Sequence, residues 1–448
     1  MSNGKELQKN IGFFSAFAIV MGTVIGSGVF FKISNVTEVT GTAGMALFVW
    51  FLGGIITICA GLTAAELAAA IPETGGLTKY IEYTYGDFWG FLSGWAQSFI
   101  YFPANVAALS IVFATQLINL FHLSIGSLIP IAIASALSIV LINFLGSKAG
   151  GILQSVTLVI KLIPIIVIVI FGIFQSGDIT FSLIPTTGNS GNGFFTAIGS
   201  GLLATMFAYD GWIHVGNVAG ELKNPKRDLP LAISVGIGCI MAVYLLINAT
   251  FLLTLPIELL AGNLNAASDT SKILFGENGG KIITIGILIS VYGTINGYTM
   301  TGMRVPYAMA ERKLLPFSHL FAKLTKSGAP WFGAIIQLII AIIMMSMGAF
   351  DTITNMLIFV IWLFYCMSFV AVIILRKREP NMERPYKVPL YPIIPLIAIL
   401  AGSFVLINTN DPAKIAIKGM IGYNGTLYGR SIFGSRFLKI ITATNDIQ

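Results

Sequence analysis

Thr23-Val24-Ile25-Gly26-Ser27-Gly28-Val29 interrupts the first long apolar run of this chain, and Phe207-Ala208-Tyr209-Asp210-Gly211-Trp212 interrupts the sixth. Each glycine in a helix interior costs about 1 kcal/mol relative to alanine. Two of them in three residues, or an aspartate beside one in an apolar run, invite the helix to unwind. Unwound backbone at membrane depth survives only where it packs in protein or lines a cavity. Interruptions at matching places in two halves of a chain are a sequence pointer to a transporter's substrate site. Gly22-x-x-x-Gly26 taken alone is equally a helix-packing motif, and it is the matched positions that favour a site. A nucleotide-binding reading of the glycine run fails, because no strand precedes it.

The runs around the breaks decide the solvent. Of 448 residues 56% are hydrophobic and 10% charged, and the mean hydropathy is +0.86. Soluble proteins carry roughly 25% charged residues, so a water-facing surface cannot be built here and the partner is a lipid bilayer. A hydrocarbon core about 30 Å thick needs roughly 20 apolar residues to cross. Such runs fall near 11–33, 42–70, 86–120, 126–145, 149–176, 193–219, 229–254, 281–303, 329–350, 352–375 and 389–408, about eleven spans. With a cytoplasmic N-terminus, seventeen Lys and Arg residues before residue 410 fall in cytoplasmic segments and only Lys32, Lys272 and Lys281 on the other face, with Lys161 inside a span and five more in the segment after 410. That is the positive-inside pattern, and it accounts for the net charge of +7 without nucleic acid. No cleavable signal peptide precedes the first run. Cys59, Cys239 and Cys366 lie singly in apolar runs, with neither disulfide nor metal spacing. The segment 410–448 is polar and basic. It would lie outside, against the charge rule, so a truncated or altered twelfth span is expected there.

The first ten spans divide into five and five, and an odd number inverts the second set relative to the first. The expected organisation is a first repeat over residues 1–176, a second over 193–375, and an eleventh span at 389–408. A broken helix leaves free N–H groups where its second half starts and free C=O groups where its first half ends. The N–H groups of Ser27 and Gly28 suit a carboxylate, helped by the positive helix end. The carbonyls near Thr23, Val24 and Ile25, and those of Phe207 and Ala208, suit an ammonium. One site then holds both charges of an amino acid. Gly26, Ser27 and Ala208 are small and leave room, Phe207 can close over the ligand or simply pack, and Tyr209, inside the second break, is counted among the substrate-binding residues.

Ionisable side chains at membrane depth are costly and functional by default. There are four here, Glu66, Lys161, Asp210 and His214. Lys161 lies mid-span, three residues before Pro164. Its ammonium needs carbonyl or carboxylate partners, and the broken part of span one is the obvious supplier. A fixed ammonium there can do the work of a bound sodium ion. The alternative is a lysine that snorkels to the interface. Asp210 caps freed N–H groups of the break or carries a proton. Glu66 and His214 read as structural.

Four motifs carry a family resemblance: Gly22-Thr23-Val24-Ile25-Gly26-Ser27-Gly28-Val29-Phe30, Ala64-Ala65-Glu66-Leu67 with Ile71-Pro72-Glu73-Thr74-Gly75-Gly76, Phe207-Ala208-Tyr209-Asp210-Gly211-Trp212, and Gly220-Glu221-Leu222-Lys223-Asn224-Pro225. From about residue 10 to 408 the chain resembles the amino acid–polyamine–organocation superfamily, most closely its bacterial L-type amino acid transporter-like members. The resemblance implies an all-α polytopic membrane protein with a LeuT-like 5+5 inverted repeat, broken spans one and six, and alternating access around the substrate. It implies that Lys161 stands where others bind sodium, that Phe207 is the gate, that Tyr244 supports the break, and that transport is sodium-independent exchange. Alanine, serine, threonine or cysteine are the implied substrates. Animal L-type members bond a heavy chain through a cysteine between spans three and four. Here that stretch, Phe121-His122-Leu123-Ser124-Ile125-Gly126-Ser127, has none, so no covalent heavy chain is expected.

An enzyme would need a clustered nucleophile and base or a metal set, and His122, His214 and His319 are far apart with no HExxH or paired cysteines. No cofactor or metal site is expected. A channel would need charge rings or a filter. The competing transport reading is a proton-coupled uptake permease, with Asp210 or Glu66 as the carrier.

Overall fold

The computed structural model describes residues 7, 9–174, 182–186, 193–263, 265–346 and 350–408. The first run starts as α1 (Phe13–Val24), leaves helical geometry at Ile25, and resumes as α2 (Gly28–Thr40). The sixth run forms α9 (Phe194–Ala208) and then breaks. Gly211, at φ +114°, takes a left-handed turn that costs glycine little. Beyond it Trp212–Glu221 is a ten-residue 3-10 segment, far longer than the usual three or four.

Between the two breaks lie α3 (Ala43–Ala70), α4 (Leu77–Tyr85), α5 (Asp87–Ala96), α6 (Phe102–Phe121), α7 (Leu128–Asn143) and α8 (Ser147–Phe174). Thr42 caps α3 by accepting the Met45 N–H at 3.3 Å, which satisfies one orphan donor of its first turn. A single π-helical turn, Gln97–Tyr101, joins α5 to α6. After the second break come α10 (Pro225–Thr254), α11 (Ile257–Leu260), α12 (Ala266–Phe275), α13 (Glu277–Gly302), α14 (Arg304–Glu311), α15 (Ser318–Phe321), α16 (Trp331–Ser346), α17 (Phe350–Arg378) and α18 (Ile393–Asn408). Every expected span is represented by a helix. Eight helical stretches among the described residues are long and apolar enough to cross a membrane, Phe13–Thr40 counted as one, and Trp331–Ser346 and Ile393–Ile407 are shorter apolar helices. The expected altered twelfth span, 410–448, lies outside the described residues.

The helices are turned for lipid rather than water. Along α8, Ile152, Val156, Val159, Ile163, Ile166 and Ile170 are exposed, while Gln154, Thr157, Leu158, Lys161, Ile165 and Ile168 are buried. Both sets follow the helical period. The polar residues point inward, the reverse of a soluble amphipathic helix. This brings Lys161 against α1, which packs on α8, α10 and α13. The far half, α2, packs on α9 and α3. The N–H of Ile11 donates to Glu221 O and that of Lys223 to Ile11 O, both at 2.9 Å. The chain entering α1 and the chain leaving the 3-10 segment therefore meet at one end of the molecule.

Candidate functional site

The two breaks meet. The N-terminus of α2 touches the C-terminus of α9 so closely that a Cβ on Gly28 would sit 2.8 Å from the Ala208 Cα and 2.9 Å from its Cβ. Nothing but glycine fits that approach without moving backbone. Around it is a cavity lined by Thr23, Val24, Gly26, Ser27 and Gly28 from the first break and by Phe207, Ala208 and Asp210 from the second. Asn105 and Leu109 of α6 and Thr294 and Tyr298 of α13 complete the wall. A helix start and a helix end thus face one small space, the first offering N–H groups and the second C=O groups.

Lys161 reaches the first break from α8. It is fully buried, and its Nζ donates to Ile25 O at 2.6 Å, Gly22 O at 3.1 Å and Thr294 Oγ1 at 3.3 Å. Its position is interior, so it does not snorkel. Ser290 Oγ donates to Ile25 O at 3.2 Å and Thr294 Oγ1 to Gly22 O at 3.0 Å. Burying an ammonium is costly unless it is hydrogen-bonded, and the carbonyls freed by the break are the compensation. The Tyr244 hydroxyl lies 2.9 Å from Val24 O and 2.8 Å from Ala208 O, so a single α10 side chain joins the ends of α1 and α9.

These contacts refine the expected ammonium site. The carbonyls of Val24 and Ala208 share the single proton of the Tyr244 hydroxyl, so each keeps acceptor capacity for a ligand, whereas Ile25 O already accepts from both Lys161 and Ser290. Ile25 contributes only through its backbone, toward Lys161. The Tyr209 ring turns away from the cavity. Its hydroxyl donates to Trp50 O at 3.2 Å, and its ring packs on Trp50 and Tyr244. Phe207 lines the cavity and carries the Lys32 ammonium 4.6 Å from its ring centre.

Asp210 is buried beneath the cavity. It accepts from the Tyr365 hydroxyl at 2.9 Å and from the Tyr101 hydroxyl. The expected role of Asp210 is to cap freed N–H groups of the break; the hydrogen bonds it accepts come instead from tyrosine hydroxyls. His214 packs against Tyr101 and Phe102, ring centres 4.8 Å apart in each case, with Nε2 3.3 Å from the Tyr365 hydroxyl. Glu66 accepts two hydrogen bonds from Arg376, at 2.9 and 2.6 Å, and the Val388 N–H at 2.7 Å. It ties α3 to the end of α17 and to the segment that follows it, and is not among the residues lining the cavity.

Sequence reading missed Ser290, Thr294, Tyr298, Asn105, Tyr101 and Tyr365. Three of these carried a signal: Ser290, Thr294 and Tyr298 recur every four residues in one apolar run, which is one helical face. The other three are isolated polar residues, and only the packing of α6 and α17 around the break gives them partners.

A multi-pass membrane protein with two unwound helices around a central cavity is the architecture of a secondary transporter. The chain belongs to the amino acid permease family, whose model matches residues 11–428. It is 42% identical to the serine/threonine exchanger SteT of Bacillus subtilis (strain 168), over 94% of this chain and 95% of that one. It is 30% identical to the b(0,+)-type amino acid transporter 1 of Mus musculus, over 98% and 92% of the two chains. It is 31% identical to the large neutral amino acids transporter small subunit 2 of the same species, over 90% and 77%. Among solved structures it resembles Mhp1, a nucleobase-cation-symport-1 family transporter in a closed conformation with bromovinylhydantoin bound. The TM-score is 0.62, with 13% identity, covering 97% of this chain and 98% of that one. That likeness concerns the fold alone. Apolar spans and family membership together make this a multi-pass protein of the bacterial plasma membrane.

Proposed function

We propose that the chain exchanges small neutral amino acids across the membrane by alternating access, with serine and threonine foremost and alanine and cysteine as further substrates, and that it does so without sodium. The observation that carries this reading is the meeting of opposite helix ends at Gly28 and Ala208. A substrate carboxylate binds at the start of α2, on the N–H groups of Ser27 and Gly28. Its ammonium binds at the carbonyls of Thr23, Val24 and Phe207, with Ala208 O shared with Tyr244. An α-amino acid carries both charges close together, and the small walls at Gly26, Ser27 and Ala208 favour a small side chain.

Sodium independence rests on Lys161, whose ammonium is held by the first break where a cation would otherwise join the two halves. Exchange rests on the serine/threonine exchanger that shares 42% of the sequence. Phe207 acts as the gate, and Tyr244 couples the two breaks. Residues 1–176 and 193–375 form inverted repeats of five spans, with an eleventh span at 389–408. No covalent heavy chain is used, given the cysteine-free stretch 121–127.

A second reading, proton-coupled uptake, has its own observation. Asp210 lies under the cavity among tyrosine hydroxyls, a place from which a carboxyl can take and release a proton. A panel of amino acids competing for labelled serine, with and without sodium and a pH gradient, separates the two. The exchanger is inhibited by small neutral amino acids and indifferent to both ions. Uptake that collapses with the pH gradient supports the second reading and sinks the first.

A further inference from the structure

A chain of side-chain amides runs through the core from α7 to α1. Asn143 closes α7, Asn296 stands in α13 and Gln154 in α8, and all three are fully buried. Asn143 Nδ2 donates to Asn296 Oδ1 at 2.8 Å. Asn296 Nδ2 donates to Gln154 Oε1 at 2.8 Å and to Gly150 O at 3.0 Å. Gln154 Nε2 donates to Ala18 O of α1 at 3.4 Å. An amide gives from its nitrogen and accepts at its oxygen, so the chain has a direction. Asn143 Nδ2 is also anchored on Ile139 O at 3.0 Å, one turn back in its own helix, and so presents a donor to Asn296. Asn296 answers with its oxygen and turns its nitrogen to Gln154. Gln154 answers in the same way and turns its nitrogen to α1.

The chain arrives beside the first break. A Cβ on Gly22 would lie 2.1 Å from Gln154 Nε2, so the glycine makes the place the amide occupies. A Cβ on Gly297 of α13 would lie 2.4 Å from Thr23 Cγ2 and 3.1 Å from Gln154 Nε2, so this amide, α13 and Thr23 meet at one point. Gly22 O is a partner of Lys161, and Thr23 and Val24 line the cavity, which Gln154 does not. We propose that Gln154 is a positioning residue for substrate binding: it holds the last turn of α1 so that the carbonyls freed by the break face the substrate ammonium, and Asn296 and Asn143 set which end of its amide does so. The inference rests on the reading of the cavity as an amino-acid site. Were the amide reversed, its oxygen would face Ala18 O with no proton between them. A buried acceptor pair of that kind is costly, and α1 would move off α8 and carry its carbonyls with it.

Serine counterflow in proteoliposomes, with KM and maximal rate per inserted protein, tests this on three variants. Gln154→Met keeps the length of the side chain and removes both of its hydrogen bonds. It should raise the serine KM about five- to tenfold while the maximal rate changes by less than about twofold. Asn143→Ala, on a helix that supplies nothing to the cavity wall, should raise KM about threefold. The double variant should match Gln154→Met alone, because Asn143 acts only through the amide it orients. KM effects that simply multiply in the double variant overturn the inference, as does a wild-type KM in Gln154→Met. A loss of maximal rate with KM unchanged also overturns it, since Gln154 would then serve the motion and not the binding geometry. If Gln154→Met fails to insert, Asn143→Ala decides alone, and a wild-type KM there overturns the inference. A wild-type protein that exchanges no serine overturns the reading of the site and this inference with it, a result distinct from an active wild type with indifferent variants.

Discussion

The Lys161 ammonium has three protons to give and three oxygen partners, on Gly22, Ile25 and Thr294. Lys161→Ala leaves the two carbonyls with only the Ser290 and Thr294 hydroxyls and takes the fixed charge away. An unmade hydrogen bond to a buried group costs about 1–3 kcal/mol, so exchange per inserted protein should fall roughly ten- to a hundredfold. Transport normalised to immunodetected protein checks this, and near-normal exchange would remove the lysine from the mechanism. Tyr244→Phe loses the hydroxyl shared by Val24 O and Ala208 O. A loss of about 1 kcal/mol predicts a several-fold drop in exchange rate, with unchanged expression. Gly28→Leu places a side chain where even a Cβ meets the Ala208 backbone, so serine affinity should be abolished, and unchanged affinity would put the carboxylate elsewhere. The glycines and Lys161 were legible in sequence because each is costly in a membrane helix and needs a reason. Tyr244 was legible only through family resemblance, since a tyrosine in an apolar run reads equally well as packing. Tyr209 was misplaced for the same physical reason: a break fixes where backbone opens, not which way a neighbouring ring turns.

At the scale of elements, α13 does more than its apolar run suggested. Its Ser290–Thr294–Tyr298 face lines the break and the cavity. Just past its end, Arg304 pairs with Glu221 at the close of the 3-10 segment, and both side chains are at most 1% exposed. The second contact of this fork, Arg304 Nη2 to Glu221 Oε2, measures 3.1 Å. Removing one partner of a buried pair strands the other charge and costs about 3–5 kcal/mol. Glu221→Gln should therefore lower the thermal unfolding midpoint of the purified protein by several degrees. A variant that melts with the wild type would show that the pair is not holding span six to span eight. The motif containing Glu221 was visible in sequence, but its partner lies 83 residues away and no spacing rule connects them. The π-helical turn at 97–101 and the long 3-10 segment were likewise invisible, because both are imposed by packing around the break and neither is a preference of their residues.

At the scale of the whole molecule, lipid sets the architecture and charge sets its orientation. Apolar run length located the eight helical stretches among the described residues that are long and apolar enough to cross, because backbone in hydrocarbon has no alternative to helix. Residue-to-residue partners across those helices were not legible, because most of the spans are apolar on every side and their packing order leaves no trace in composition. The charge asymmetry predicts that a cysteine at Lys313 is labelled by a membrane-impermeant maleimide only from the cytoplasm, and one at Ile184, in the loop between spans five and six, only from outside. Labelling with the sides reversed would overturn the topology. The central claim is a sodium-independent exchange site built from two broken helices. Counterflow measures it most directly. Proteoliposomes loaded with labelled serine are diluted into sodium-free buffer with or without external serine. The account predicts rapid efflux only when serine is present outside. Efflux that is equally fast into empty buffer, or that appears only when sodium is added, would contradict it.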